Sequence, residues 1–262
     1  MSAAVDTLPG AEKETKRPSR ASGLLTWRDL GIPVLCLAVV VGELYYLSQV
    51  EIGSSQSSIL AYGSLISLTR QHVLMTLTIT ALVLVVAVPF GVLITRPGFK
   101  WLASPVLAFG NVGQAAPIVG LLAIVGSFFI GFKPVVLMIA AFSMLPVLRN
   151  TIVGIEQVDV GVKDAARGMG MSPRGVLMKV ELPLAVPIIA AGTRTALILA
   201  VAVIPLGTDM NAGGLGQLVF AGIKLNRSES LVAGALFIAV LALLVDWIGG
   251  IAQRALTPRG IR

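Results

Sequence analysis

Charged residues are scarce in this 262-residue chain: Asp, Glu, Lys and Arg make up 13% of it, about half the share of a soluble domain. Hydrophobic residues make up 56%, and the mean hydropathy is +0.90. A chain of this length cannot hide so much apolar surface from water, so several segments must have lipid as their solvent, and a compact soluble enzyme is excluded. Cysteine is almost absent. The single one, Cys36, lies in an apolar run, so the chain can form neither an internal disulfide nor a cysteine-built metal site. There is one histidine, His72, too few for a histidine metal cluster. It stands at the expected outer start of a span with no visible Ser or Cys partner, and reads as a capping or interface residue, not as half of a nucleophilic pair. Acidic charge is the rarer sign, with 13 Asp and Glu against 20 Lys and Arg. In a polytopic chain that excess is loop charge and not a nucleic-acid footprint. A cleavable leader is not expected either: the first apolar run ends in Glu43-Leu-Tyr-Tyr46 without a small-residue cleavage pattern.

Long apolar runs are what the sequence has in abundance. A bilayer core takes about 20 apolar residues in helix. Six runs fit: Leu30 to Gln49, His72 to Thr95, Leu102 to Ile130, Pro134 to Ile155, Pro183 to Leu206 and Ser230 to Ile251. The expected fold is therefore all-α, a polytopic membrane protein of about six transmembrane helices. The third run is the least regular, since Phe109-Gly-Asn-Val-Gly-Gln-Ala-Ala-Pro117 puts amides, glycines and a proline at membrane depth. Kinked backbone survives there only against protein or a water-lined cavity. Asn111, Gln114 and Pro117 are candidates either for a cavity wall or for interhelical hydrogen bonds. With the N-terminus inside, fifteen of the 20 basic residues fall on the cytoplasmic side, so both termini are expected there. The expected division is a polar tail over 1–29, a first span and outer loop over 30–68, the main transmembrane unit over 69–252 and a C-terminal tail over 253–262. Lys and Arg in the first tail would feel anionic membrane lipid.

The connection after the fourth run, residues 156–182, is too long and too patterned for a plain linker. Glu156 to Glu181 reads as two short amphipathic helices split by Gly168 to Pro173. It carries small residues side by side (Ala165, Ala166), a glycine break (Gly170), a capping Ser172 before Pro173, and Leu182-Pro183 where the next run begins. Two readings stand on these residues alone: a helix seated in a groove of another protein, or one lying on the inner leaflet.

The same residues resemble the EAA loop of ATP-binding-cassette importer permeases: acidic-Ala-Ala, three residues, Gly, nine residues, aliphatic, one residue, Leu-Pro. The pattern falls on Asp164, Ala165, Ala166, Gly170, Val180, Leu182 and Pro183, with Asp for the usual Glu and Val for the usual Ile. The stretch from about Leu145 to Leu199, the Gly213-Gly214-Leu215-Gly216 segment and the ending Leu256-Thr257-Pro258-Arg259-Gly260 look like the osmoprotectant branch, whose members import glycine betaine, choline, carnitine or proline betaine. The resemblance implies a type I importer permease in a bacterial or archaeal inner membrane, paired with a second permease, the same or paralogous. It implies a coupling helix docked on a separate ATPase, and an extracytoplasmic solute-binding protein. No Gly-x-x-x-x-Gly-Lys-Ser/Thr cradle occurs, so ATP and magnesium are expected on the partner, and this chain is expected to hold no cofactor, metal or catalytic residue.

Further residues are placed along the translocation path. Arg194 sits near the middle of the fifth run, where a charge faces a cavity or pairs with a carboxylate such as Glu43, or with freed backbone carbonyls, to hold the bundle together. Asp246, nearer the cytoplasmic end of the last run, reads as a snorkelled or hydrogen-bonded surface residue. Asn211, Gly213, Gly214 and Gly216 read as an outer turn or short gate helix, although Pro205-Leu-Gly-Thr-Asp209-Met-Asn211 departs from the family's usual small apolar approach. Aromatics are 6% of the chain, and Trp27, Trp101 and Trp247 fall at expected membrane edges. The cage for a quaternary ammonium is therefore expected in the binding protein. Methionine or another amino acid remains an alternative cargo. A secondary transporter would show acidic relays or inverted repeats, and an intramembrane enzyme a paired constellation; neither pattern is present.

Overall fold

The structure, a computed structural model, describes residues 27–50 and 57–257. Most of the N-terminal tail, part of the first outer loop and the last five residues lie outside that range. After a 3-10 turn at Trp27–Leu30 come α1 (Gly31–Gln49), α2 (Tyr62–Ile94), α3 (Ala103–Ala115), α4 (Ile118–Gly126) and α5 (Phe132–Glu156). The loop region holds α6 (Val160–Gly168) and α7 (Pro173–Val176), the latter running through a π turn at Leu177–Glu181 into α8 (Leu182–Val203). A 3-10 segment (Ile204–Met210), α9 (Gly216–Lys224) and α10 (Ser228–Leu256) complete the described chain.

Five helices are long and apolar enough to cross a membrane: α1, α2, α5, the continuous run Pro173–Met210, and α10. The broken pair α3 and α4, bent by 85°, passes the same test only when its two helices are taken together as one span. Proline causes the break. Pro117 has no N–H to continue the ladder and drives Ala116 into extended backbone (φ −69°, ψ 140°), so α3 ends with the Ala116 N–H on Val112 O.

The spine of the bundle is α2, α5 and α8. Ile79, Val83 and Ala87 of α2, Ile139 and Val147 of α5, and Ala196 and Ala200 of α8 are all fully buried in one apolar cluster. Between membrane helices such contacts are held by close packing, which small residues permit. Gly192 of α8 is an example: a Cβ there would lie 2.7 Å from the Pro146 carbonyl of α5. Helix α1 lies outside the spine, packed on α10.

Two element boundaries differ from expectation. Helix α2 begins at Tyr62, ten residues before the expected start at His72, so His72 lies inside the helix and is not its cap. Of the two expected loop helices only α6 stands alone; the second is continuous with the helix that follows, so that the helical run begins at Pro173, ten residues ahead of the apolar run.

Candidate functional site

The 156–182 loop is fixed at both ends and exposed in between. Asp159 caps α6 by accepting the Val162 N–H at 3.2 Å, and Lys163 Nζ donates to Ile155 O at 3.2 Å, tying α6 to the end of α5. Ala166 is buried at 2% exposure, whereas Asp164 and Ala165 face outward; Asp164 is bonded to Arg167 Nη1 at 2.9 Å. Gly170 closes the helix at φ +81°, a left-handed conformation that glycine adopts without strain, and the Met171 N–H returns to Ala166 O. Ser172 Oγ then caps α7 through the Gly175 N–H, with Pro173 at the first helical position. Val180 lies in the π turn, beside the half-buried Leu182 and the exposed Pro183.

Beneath this segment the buried Glu181 accepts from Arg96 Nη2 at 2.7 Å, and Lys100 stands 3.5 Å from Glu156. The α2–α3 connection therefore braces the loop from the same end of the bundle. Val160, Val162, Met169 and Met178 leave large apolar side chains exposed on the loop segment. An apolar surface of this kind at a bundle end, held on a rigid base, is suited to receiving a partner.

The residues expected along the translocation path are not gathered in one place. Asn111, Gln114 and Pro117 sit together on α3 and at its break, beside a cavity of about 370 Å³ between the broken pair and α5. Gln114 Nε2 donates to Phe142 O at 3.0 Å, and Asn111 Oδ1 accepts from Arg149 Nη2 at 2.9 Å.

Arg194 lines a different cavity of about 300 Å³ with Asp29, Trp247 and Arg254. Its partner is Asp246, through Nε to Oδ1 and Nη2 to Oδ2 (2.7 Å), a bidentate pair from α8 to α10. The suggested pairing with Glu43 is thus corrected, and of the two readings of Asp246 the hydrogen-bonded one holds. Gly249 and Gly250 open the slot the arginine needs: a Cβ on Gly249 would lie 3.2 Å from Arg194 Cγ. Glu43 is buried on α1, and its Oε1 has no hydrogen-bond partner among the described residues.

At the opposite end of α8 the Asn211 to Gly216 segment does form a turn leading into a short helix, but it is packed down. Asn211 is exposed, while Gly213 (φ +88°), Gly214 (φ +83°) and Gly216 are buried. Two residues of α2 hold it there. Gln71 Oε1 accepts the Gly214 N–H at 3.2 Å, and His72 Nδ1 accepts the Leu215 N–H at 3.3 Å. The other ring nitrogen, Nε2, lies 3.1 Å from Val201 O, which assigns the neutral Nε2–H tautomer.

Sequence reasoning passed over Arg149, whose place seven residues inside α5 was itself a signal, and over Phe90, Phe109 and Phe142, which come from three helices and meet only in space.

Five long apolar helices, a further pair broken at Pro117 and a braced, exposed loop at one end define a polytopic membrane protein. The family model described as "Binding-protein-dependent transport system inner membrane component" matches residues 87–259, and the chain belongs to that family. It is a transport permease subunit and not an enzyme. It is 38% identical over 206 residues to the osmoprotectant import permease protein OsmW of Salmonella typhimurium, covering 76% of this chain and 95% of that protein. It is 36% identical to the choline transport system permease protein OpuBB of Bacillus subtilis (76% and 92% covered) and 36% identical to the carnitine transport permease protein OpuCD of Listeria monocytogenes (72% and 84%). Among solved structures, a chain of the MetNI methionine ABC transporter in an inward-facing conformation superposes with a TM-score of 0.68 at 23% identity, over 79% of this chain and all of that one. That likeness concerns the fold.

Proposed function

We propose that this chain is the permease of an ATP-driven importer for osmoprotectants of the glycine betaine, choline and carnitine class. The observation that carries the cargo is its similarity, over nearly their whole length, to permeases named for osmoprotectant, choline and carnitine transport. Two permeases, two ATPase subunits and an extracytoplasmic binding protein make up the working assembly, with ATP and magnesium on the ATPases. The exposed face of α6 and the Gly170 turn dock the ATPase. Ala166 supports that face from beneath, and Val180, Leu182 and Pro183 join it to α8. Both chain termini lie in the cytoplasm, by the distribution of Lys and Arg.

The test is uptake of labelled glycine betaine, choline, carnitine and proline by cells with and without the gene, before and after a salt upshift and with ATP depleted. Loss of ATP-dependent betaine-class uptake in the deletion is the expected result. Unchanged uptake across the panel would overturn the cargo.

A further inference from the structure

The cavity between the broken span and α5 has an unusual lining for a packed helix interface. Phe90 of α2, Phe109 of α3 and Phe142 of α5 border it with Met138, and Gln114 is its polar member. Its volume, about 370 Å³, falls within the range of small-molecule sites, about 300–1,000 Å³. A cation stands one residue along the chain from its lining, outside the lining itself. Leu148 and Gly110 are lining residues, and the residues that follow them, Arg149 and Asn111, form the 2.9 Å hydrogen bond described above. Arg149 is exposed and lies about 10 Å inside the end of a membrane helix. A guanidinium facing lipid at that depth is costly, so this face of α5 borders water or protein. Among the described residues no carboxylate pairs with Arg149; a neutral amide oxygen holds it.

We propose that this cavity is a transit site for zwitterions with a quaternary ammonium head. The rings of Phe90, Phe109 and Phe142 receive the cation, and Arg149 exchanges the Asn111 amide for the solute carboxylate. Ring faces attract an alkylated ammonium, which has no N–H to satisfy, and a guanidinium offers two parallel donors to a carboxylate. The inference rests on the cargo reading above and adds a division of labour: a carboxylated solute uses both halves of the site, choline only the rings.

The experiment uses the complete transporter, permease with its ATPase and binding protein, in cells and in proteoliposomes. Glycine betaine and choline are compared in the wild type and in Arg149→Gln, Arg149→Lys, Phe109→Leu and Phe142→Leu, with membrane level and ATPase co-purification measured for each. Arg149→Gln is expected to lower the glycine betaine-to-choline uptake ratio about tenfold, and Arg149→Lys to restore much of it. The phenylalanine variants are expected to lower uptake of both solutes several-fold at unchanged membrane level. Where the wild type carries only carboxylated solutes, the recovery from Gln to Lys is the reading. An unchanged ratio in Arg149→Gln, or no recovery in Arg149→Lys, overturns the inference while the cargo stands. Loss of permease self-association, read by size-exclusion chromatography of the purified phenylalanine variants, also overturns it, and makes the cavity a surface where a second permease packs. A wild type that carries none of the panel removes the cargo reading, and this inference with it.

Discussion

Both ring nitrogens of His72 are used, one accepting from the loop that follows α8 and the other donating to the last turns of α8 itself. Removing the ring in His72→Ala strands the Leu215 N–H and opens a hole beside Met75 and Leu215, which are themselves buried. The expected cost is about 2–4 kcal/mol, read as a lower unfolding midpoint of the purified permease in detergent. Gly214→Ala strains the same clamp from the other side, since φ is +83° and the new Cβ meets His72 Nδ1 at 3.4 Å; about 1–2 kcal/mol is expected in the same assay. Arg194 and Asp246 call for a paired measurement. Arg194→Met or Asp246→Leu alone leaves one charge at membrane depth without its partner, for about 1–3 kcal/mol at this partial exposure. The double variant is expected to recover most of that loss, and a cycle that proves additive would show that the pair does not hold α8 to α10.

The 156–182 loop depends on its turn and its base, and two substitutions test the proposed docking role of each. Gly170→Asp places a charged side chain on a left-handed residue at the exposed corner. The permease is expected to stay in the membrane but to lose ATPase co-purification and solute-dependent ATP hydrolysis; survival of both would show that the corner is not part of the joint. Glu181→Gln weakens the buried brace to Arg96. It is expected to lower solute-dependent hydrolysis while leaving co-purification largely intact, because the docking face itself is untouched. The loop motif and the break at Pro117 were legible in the sequence, since spacing and proline chemistry are local. The π turn was not, because a helix with one extra residue per turn carries the same residue types as one without. The start of α2 was misplaced for a related reason: Arg70 and Gln71 interrupt the apolar run, yet the backbone ladder continues through them and Gln71 finds a partner 143 residues away. Nor could sequence separation alone show that Arg194 would choose Asp246 on α10 over Glu43 on α1.

At the scale of the molecule the number of crossings fixes which loops share a side, and labelling reads this directly. The buried Cys36 has one long polar contact, Sγ to Val240 O at 3.9 Å, and Cys36→Ala removes a single sulfur atom to give a cysteine-free background. In it, Ser228→Cys is expected to react with a membrane-impermeant thiol reagent in intact cells, and Arg174→Cys only after the membrane is opened. The reverse pattern would invert the topology. The pair between α8 and α10 also bears on how the membrane voltage acts on the protein. Moving one elementary charge through the whole field involves about 2.3 kcal/mol per 100 mV. Arg194 and Asp246 present equal and opposite charge within a single contact. If the two helices move together, the pair crosses the field as a neutral unit and almost no electrical work is done. The cell can change its membrane potential without tilting that movement in either direction.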